Sequence, residues 1–290
     1  MGRSACSAPM KRLSDSQRKS RRDSADSATR TAYFLSALAI RFVLIFLTGQ
    51  IAFHAAPAIA ESPTGWNGTA AFGPVVFPKY VGGTGTQVWP IPILSINYEE
   101  TFYVEIERVG VYVLASDDKK IGLGLAIEPR FGYSAKDGLR LQGMAKRRDS
   151  IEGGPTFDWD FDVIAFSVAY FADLSRSSRG SSTRVSIYKP LLKDDRWDVG
   201  ALLAIDAMNS KIANYYFGVR PSEANTLHHD YQLGGLTTTS IGLSGTYKLN
   251  KHHALAFGAI ATRLPATATA SPIVETRHAT TWYLGYGWNL

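Results

Sequence analysis

Ile121-Gly122-Leu123-Gly124-Leu125-Ala126-Ile127-Glu128-Pro129-Arg130-Phe131-Gly132-Tyr133 carries an apolar or aromatic residue at every odd position, and Gly, Ala, Glu or Arg at the even ones. Successive side chains of a β-strand point to opposite faces, so this stretch reads as a strand with one greasy face and one small or polar face. The pattern recurs along the chain. Trp197, Val199, Ala201, Leu203 and Ile205 oppose Asp198, Gly200, Ala204 and Asp206, with Leu202 the exception. Ile241, Leu243, Tyr247 and Leu249 oppose Gly242, Ser244, Thr246 and Lys248. The chain ends with Trp282, Leu284, Tyr286, Trp288 and Leu290 on one face and Thr281, Tyr283, Gly285, Gly287 and Asn289 on the other. No stretch after residue 61 offers an amphipathic helix longer than three turns.

Two architectures produce such ribbons, a soluble β-sandwich and a transmembrane barrel. Segments of about 10–15 residues are long for a sandwich strand and suit a tilted membrane strand. Aromatics make up 12% of the chain and gather near segment ends, as at Trp89, Tyr98, Phe102, Tyr103, Tyr133, Trp282 and Trp288, where interfacial girdles belong. The polar faces carry Glu128, Arg130, Asp158, Asp160, Asp162, Arg184, Asp198 and Asp206, which are costly in a dry core and cheap in a wet lumen. A solvated outer face of a sandwich would also accept them, so segment length and girdles carry the argument. The expected fold is all-β: a transmembrane antiparallel up-and-down barrel of 10–12 strands.

Ten candidate strands fall at 67–78, 89–98, 102–115, 120–133, 157–173, 182–192, 196–207, 233–247, 252–264 and 276–289. With both termini periplasmic, connections 79–88, 116–119, 174–181, 208–232 and 265–275 face outward, and 99–101, 134–156, 193–195 and 249–251 face the periplasm. Periplasmic turns of bacterial barrels are short. Segment 134–156 violates this, which suggests a hidden strand pair there or in 211–217. The alternation also slips near Glu107-Arg108 and Val163-Ile164, where bulges or bends are expected.

The barrel body explains neither the charge of the chain nor its first 60 residues. The chain has a formal net charge of +6, and residues 1–60 hold the whole excess, nine Lys/Arg against three Asp/Glu. The remaining residues balance at 22 of each, so no basic surface for nucleic acid belongs to the body. The one cysteine, Cys6, also lies in the leader, so the body has neither a disulfide nor a Cys-ligated metal nor a thiol nucleophile. Arg41, the apolar run from Phe42, and Ala58-Ile59-Ala60 have the form of a signal peptide cleaved after Ala60, leaving 61–290 as the barrel. A membrane helix reaching back to Tyr33 would bury Arg41, at a cost of roughly 2.5–3.5 kcal/mol. The leader is long, which leaves Met10 as an alternative start, and Arg21-Arg22 lacks the apolar sequel of a twin-arginine signal.

Four motifs resemble those of the MipA/OmpV family of outer-membrane proteins, the MltA-interacting proteins. They are Pro78-Lys79-Tyr80-Val81-Gly82-Gly83; Trp89-Pro90-Ile91-Pro92-Ile93-Leu94; Tyr216-Phe217-Gly218-Val219 with Pro221, Glu223 and Ala224; and Arg263-Leu264 followed by Ser271-Pro272-Ile273-Val274-Glu275. In order, they span most of residues 66–290. The resemblance implies an outer-membrane barrel handled by the barrel-assembly machinery, with a scaffolding role linking a murein-cleaving transglycosylase to a murein synthase. One departure is the final residue, Leu290 instead of an aromatic, with Trp288 two before it. It bears on insertion efficiency.

Several clusters invite a sharper chemistry. Asp158, Asp160 and Asp162 on one strand face could attract cations or hold a hard metal, but a solvated, ion-paired wall with Arg184 nearby is the plainer reading. His228-His229-Asp230 resembles the His/Asp groups of outer-membrane proteases called omptins, yet adjacent histidines of a strand diverge and no second acidic cluster accompanies them. His278 shares a face with Trp282, as an outer-membrane phospholipase histidine would, but only Thr280 lies beside it and no serine does. His252-His253 follows a tight turn and meets head groups. Tyr215-Tyr216-Phe217-Gly218-Val219 reads as a plug over the barrel mouth, with partner recognition as the alternative. Lys136, Arg140, Lys146, Arg147 and Arg148 in 134–156 read as a solvated turn, with a periplasmic contact as the alternative. The expected protein is a non-enzymatic scaffold in outer-membrane lipid, without cofactor or catalytic residues. The alternatives are a narrow channel and, remotely, a barrel hydrolase.

Overall fold

The computed structural model describes residues 65–290; the leader, Cys6 and the cleavage site after Ala60 lie outside the described residues. Among the described residues, twelve antiparallel strands close into a barrel, each paired with its sequence neighbours and β1 (Trp66–Pro78) with β12 (His278–Asn289). Between them run β2 (Thr86–Tyr98), β3 (Phe102–Glu105), β4 (Arg108–Ala115), β5 (Ile121–Arg130), β6 (Ser150–Asp160) and β7 (Ala165–Asp173), then β8 (Ser181–Lys193), β9 (Trp197–Met208), β10 (Leu236–Lys248) and β11 (His253–Arg263). No described helix is long and apolar enough to cross a membrane.

The alternation in sequence becomes an alternation in burial. In β5, Ile121, Leu123, Leu125 and Ile127 are exposed, while Gly122, Gly124, Ala126 and Glu128 are buried. In β12, Trp282, Leu284, Tyr286 and Trp288 project outward, and Thr281, Tyr283, Gly285 and Gly287 face the bore. An outward apolar face is stable only against hydrocarbon, and closing the ring leaves few backbone donors unpaired there.

Two expectations about the strands need correction. The slips near Glu107-Arg108 and Val163-Ile164 are hairpin turns, not bulges or bends. They split 102–115 into β3 and β4, and 157–173 into β6 and β7. A change of phase cannot distinguish a bulge from a reversal. Turn chemistry makes the difference at the second site, where the Asp160 side chain accepts from the Asp162 N–H at 2.8 Å and Asp162 adopts φ 69°. The two additional strands therefore come from these reversals; 134–156 contributes the first half of β6, residues 150–156, and 211–217 contributes none. Segment 211–217 belongs to a helix, α1 (Ser210–Phe217), capped by the Asn209 side chain on the Lys211 and Ile212 N–H groups. Irregular register occurs instead between Tyr112 and Leu114 and between Pro190 and Leu192.

With the count corrected, the connections sort by length. Both described ends and the short turns after β2, β4, β6, β8 and β10 share one end, the periplasmic one by the rule for such barrels. The long connections 79–85, 131–149, 174–180, 209–235 and 264–277 share the other. Residues 134–149 thus move from the periplasmic side to the outer rim, residues 150–156 join the wall as the first half of β6, and 116–120 moves the opposite way. Aromatic clusters mark the short-turn end: Trp66 with Tyr98 and Phe102, Trp159 with Phe157 and Phe161, Trp197 with Tyr247 and Phe257, and Tyr286 with Trp288. They form the interfacial girdle expected at the periplasmic surface.

Candidate functional site in the barrel lumen

The outer mouth is sealed by its own loops. Ile212, Ala213, Tyr216 and Phe217 of α1 pack with Tyr80 of the first outer loop, Tyr133, Leu141 and Met144 of the second, and Leu264, Ile273 and Val274 of the last, all buried. Polar bonds tie the same loops together. Tyr80 Oη donates to the Ile273 carbonyl at 3.0 Å, Ser271 Oγ to the Phe217 carbonyl at 2.5 Å, and the Thr84 N–H to Glu275 Oε2 at 3.0 Å. Gly218 lets the chain pass close to Asn214, and Val219 pairs with Tyr231 as an isolated bridge. Arg140 donates to the Pro272 carbonyl at 3.2 Å. Three of the four motifs quoted above therefore meet in one cap, although they are far apart in sequence.

Within the same cap lies a buried ion pair that sequence reading missed. Arg147 grips Glu223 through both terminal nitrogens, at 2.6 and 2.8 Å, and its guanidinium lies over the rings of Tyr133 and Tyr215 at 5.7 and 5.8 Å. Burial alone would raise the Glu223 carboxyl, but the Arg147 bonds and the Arg220 and Ala145 N–H groups hold it down to about 2. Arg147 was grouped with exposed loop cations, because spacing does not reveal a partner 76 residues away.

Deeper in the bore, charges pair across strands. Arg184 bonds Glu128 in a bidentate fork at 2.7 and 2.7 Å, and Arg108 adds a third bond at 3.2 Å. Arg130 binds Glu152 at 2.7 and 3.0 Å and approaches Asp206 at 3.4 Å. The buried Phe171 ring supports Arg108 and Arg184 from 5.1 and 5.9 Å. Such clustering holds buried charge only because each guanidinium meets a carboxylate. The partner expected for Arg184 was the aspartate stripe; the register instead sets it opposite Ala169 and Asp206 and delivers it to Glu128.

The stripe itself breaks up. Asp158 is buried on the inner face and Asp160 is half-buried at the strand end, but Asp162 sits in the exposed turn and pairs with Lys120 at 2.6 Å. The reversal of the chain at 161–164 is what removes Asp162 from the lumen. No group of three or more His, Cys, Asp or Glu arranged to hold a metal occurs among the described residues. Asp198 borders the lower cavity. His228 is buried with its Nε2 at 2.7 Å from the Arg140 carbonyl, while His229 and Asp230 are exposed, so the three do not converge. His278 pairs across the ladder with Arg263, and the His253 ring stacks on Tyr286.

The β3–β4 hairpin completes the obstruction. Its wall contact with β2 lasts only from Ile96–Val104 to Tyr98–Phe102, after which it folds into the bore. Ile106 at its tip is buried with Ile93, Leu202, Ala256 and Tyr283 of the surrounding wall, and Glu107 approaches Arg184 at 3.9 Å. Leu202, the exception to the alternation of β9, faces inward to meet this tip. Below it a cavity of about 710 Å³ opens at the short-turn end, bordered by Asn67, Asn97, Tyr188, Asp195, Asp198 and Lys251.

Comparison with known proteins matches residues 70–290 to the model of the family "MltA-interacting protein MipA". Among curated proteins, the chain is 28% identical over 158 residues to outer membrane protein Omp26La of Vibrio anguillarum, covering 53% of this chain and 58% of that protein. It is 26% identical over 195 residues to outer membrane protein OmpV of Vibrio cholerae, covering 67% of this chain and 75% of that protein.

Proposed function

This chain belongs to the MipA family of outer-membrane β-barrels, and on that premise we propose that it is a non-enzymatic scaffold presenting its periplasmic end to murein-processing enzymes. The observation that carries the reading is the closed bore. Loops, ion pairs and the infolded hairpin block the outer part of the bore, while the bowl of about 710 Å³ and five short turns face the periplasm. A barrel of ten to twelve strands leaves little room for an aqueous path even before it is plugged; open channels belong to about 16 strands or more. The family description "MltA-interacting" supports a murein hydrolase as the partner class.

In this reading the cationic loop is not the contact surface. The cationic loop 131–149 lies on the outer rim, out of reach of a periplasmic enzyme. The contact surface is therefore assigned to the short turns, with Asp195, Arg196, Asn250 and Lys251 at the edge of the bowl. Photo-cross-linking in intact cells from Arg196 and Lys251 should trap a murein hydrolase or synthase, and the same probe at Lys136 should not. Trapping from Lys136 alone, or from no position, sinks the scaffold reading. Stable unitary conductance of the purified barrel in planar bilayers would replace it with the channel.

A further inference from the structure

The barrel wall has a seam that no hydrogen bonds close. Because the β3–β4 hairpin turns inward, β2 has no ladder partner on its far side above Ile96, and β5 has none beyond Ile127. Side chains alone span the gap near its outer end, where the Trp89 ring meets Phe131 edge-on at 6.2 Å.

The seam is also depleted of donors, from both flanks. The Gly68 carbonyl accepts from Leu290 next to β12, so even-numbered residues of β1 point their backbone groups toward β12 and odd-numbered ones toward β2. Pro74–Pro90 and Phe72–Pro92 are consequently pairs without hydrogen bonds, and the absent N–H groups of Pro90 and Pro92 fall on the free edge of β2. On the other flank, the Ile151 carbonyl accepts from Leu174 on the β7 side. The Pro129–Ile151 pair is then also without hydrogen bonds across β5–β6, and the absent N–H of Pro129 points into the seam. Three prolines from two strands thus remove donors along one line. A proline edge rejects an added strand and presents fewer unpaired N–H groups to hydrocarbon.

We propose that this seam is a binding site for one acyl chain of an outer-membrane lipid. The residues that flank it outward, Val88, Leu94, Val109 and Ile127 with the three prolines, are apolar and continue the lipid-facing surface without a break. Behind Pro129 and Phe131 the void of about 70 Å³ is lined by Glu107, Glu128, Arg130 and Arg184 as well as Val81 and Phe217, so the chain lies along the outer groove and does not enter the charged bore. The outward side chains of these flanks offer a water-soluble ligand no polar group, and a partner strand finds too few donors. A hydrocarbon tail requires neither.

The test is native mass spectrometry of the full barrel released from nanodiscs of dimyristoylphosphatidylcholine. The folded barrel should retain one lipid after the annular lipid has been stripped. Pro129→Trp, which fills the seam, should lower that occupancy about tenfold, the effect of withdrawing burial from roughly two methylene groups. Ile241→Trp, on the continuous wall of β10, should leave it unchanged. Heat-modifiable migration on gels verifies folding, and Leu94→Phe replaces Pro129→Trp if that variant does not fold. No retained lipid, equal retention in the filled variant, equal loss in the Ile241 control, or a retained peptide in place of lipid would each overturn the proposal.

Discussion

Glu128 is the acceptor on which two guanidiniums depend. Replacing it with Gln leaves Arg184 and Arg108 buried beside a neutral group. We expect a loss of about 3–5 kcal/mol, measured as earlier unfolding in urea with detergent. Glu223 gives a pH-dependent counterpart. Its folded pKa of about 2 lies below that of an ordinary glutamate, so its contribution is complete above about pH 4.5 and is lost as pH falls toward 2. Proteolysis of loop 209–235 should accelerate in that window, whereas Glu223→Gln should be cut faster already at neutral pH and show no such step. Sequence located Glu128, Arg130, Arg184 and Asp206 on inner faces because alternation reports facing. It could not pair them, because pairing follows strand register and tilt, and these separate Glu128 from Arg184 by 56 positions.

At the scale of elements, the lipid-facing stripes of β5, β9 and β12 were readable because a membrane strand repeats one constraint for ten residues or more. Short elements carried weaker signals. β3 has four residues, too few to establish a phase, and its turn at Ile106-Glu107 lacks Gly, Asn or Asp to announce a reversal. Closure of the ring between β1 and β12 depends on a close backbone approach. A Cβ on Gly287 would sit 2.0 Å from the Ala70 carbonyl oxygen, and one on Gly73 2.0 Å from that of Leu284. Gly287→Val should therefore prevent stable closure, seen as loss of the heat-modifiable band, while Gly234→Val, with open space around its Cβ position, should not.

For the whole molecule, the cap, the ion-pair layer and the hairpin tip obstruct the bore in series. Deleting loop 209–235 alone should leave planar bilayers silent, because Glu107, Arg108 and the pairs around Glu128 still fill the centre. Conductance should appear only when the hairpin tip is shortened as well. Currents from the loop deletion alone would mean that the inner layers do not block ions. The overall architecture and the plug at 215–219 were legible in sequence, whereas the inner obstruction was not, since it arises from charges paired across strands and from a hairpin leaving the wall.

The infolded hairpin also constrains the order of biogenesis. Its tip brings a glutamate into the centre of the cylinder, flanked by an arginine at its base. Once the first and last strands have joined, routes through lipid or past the stoppered mouth are prohibitive, which leaves only the bowl at the short-turn end, directly below the tip. The tip is therefore tucked in either while the nascent sheet is still an open scroll or afterwards from the periplasmic side. In the first order, zippering of the terminal strands locks in what has already been stowed inside.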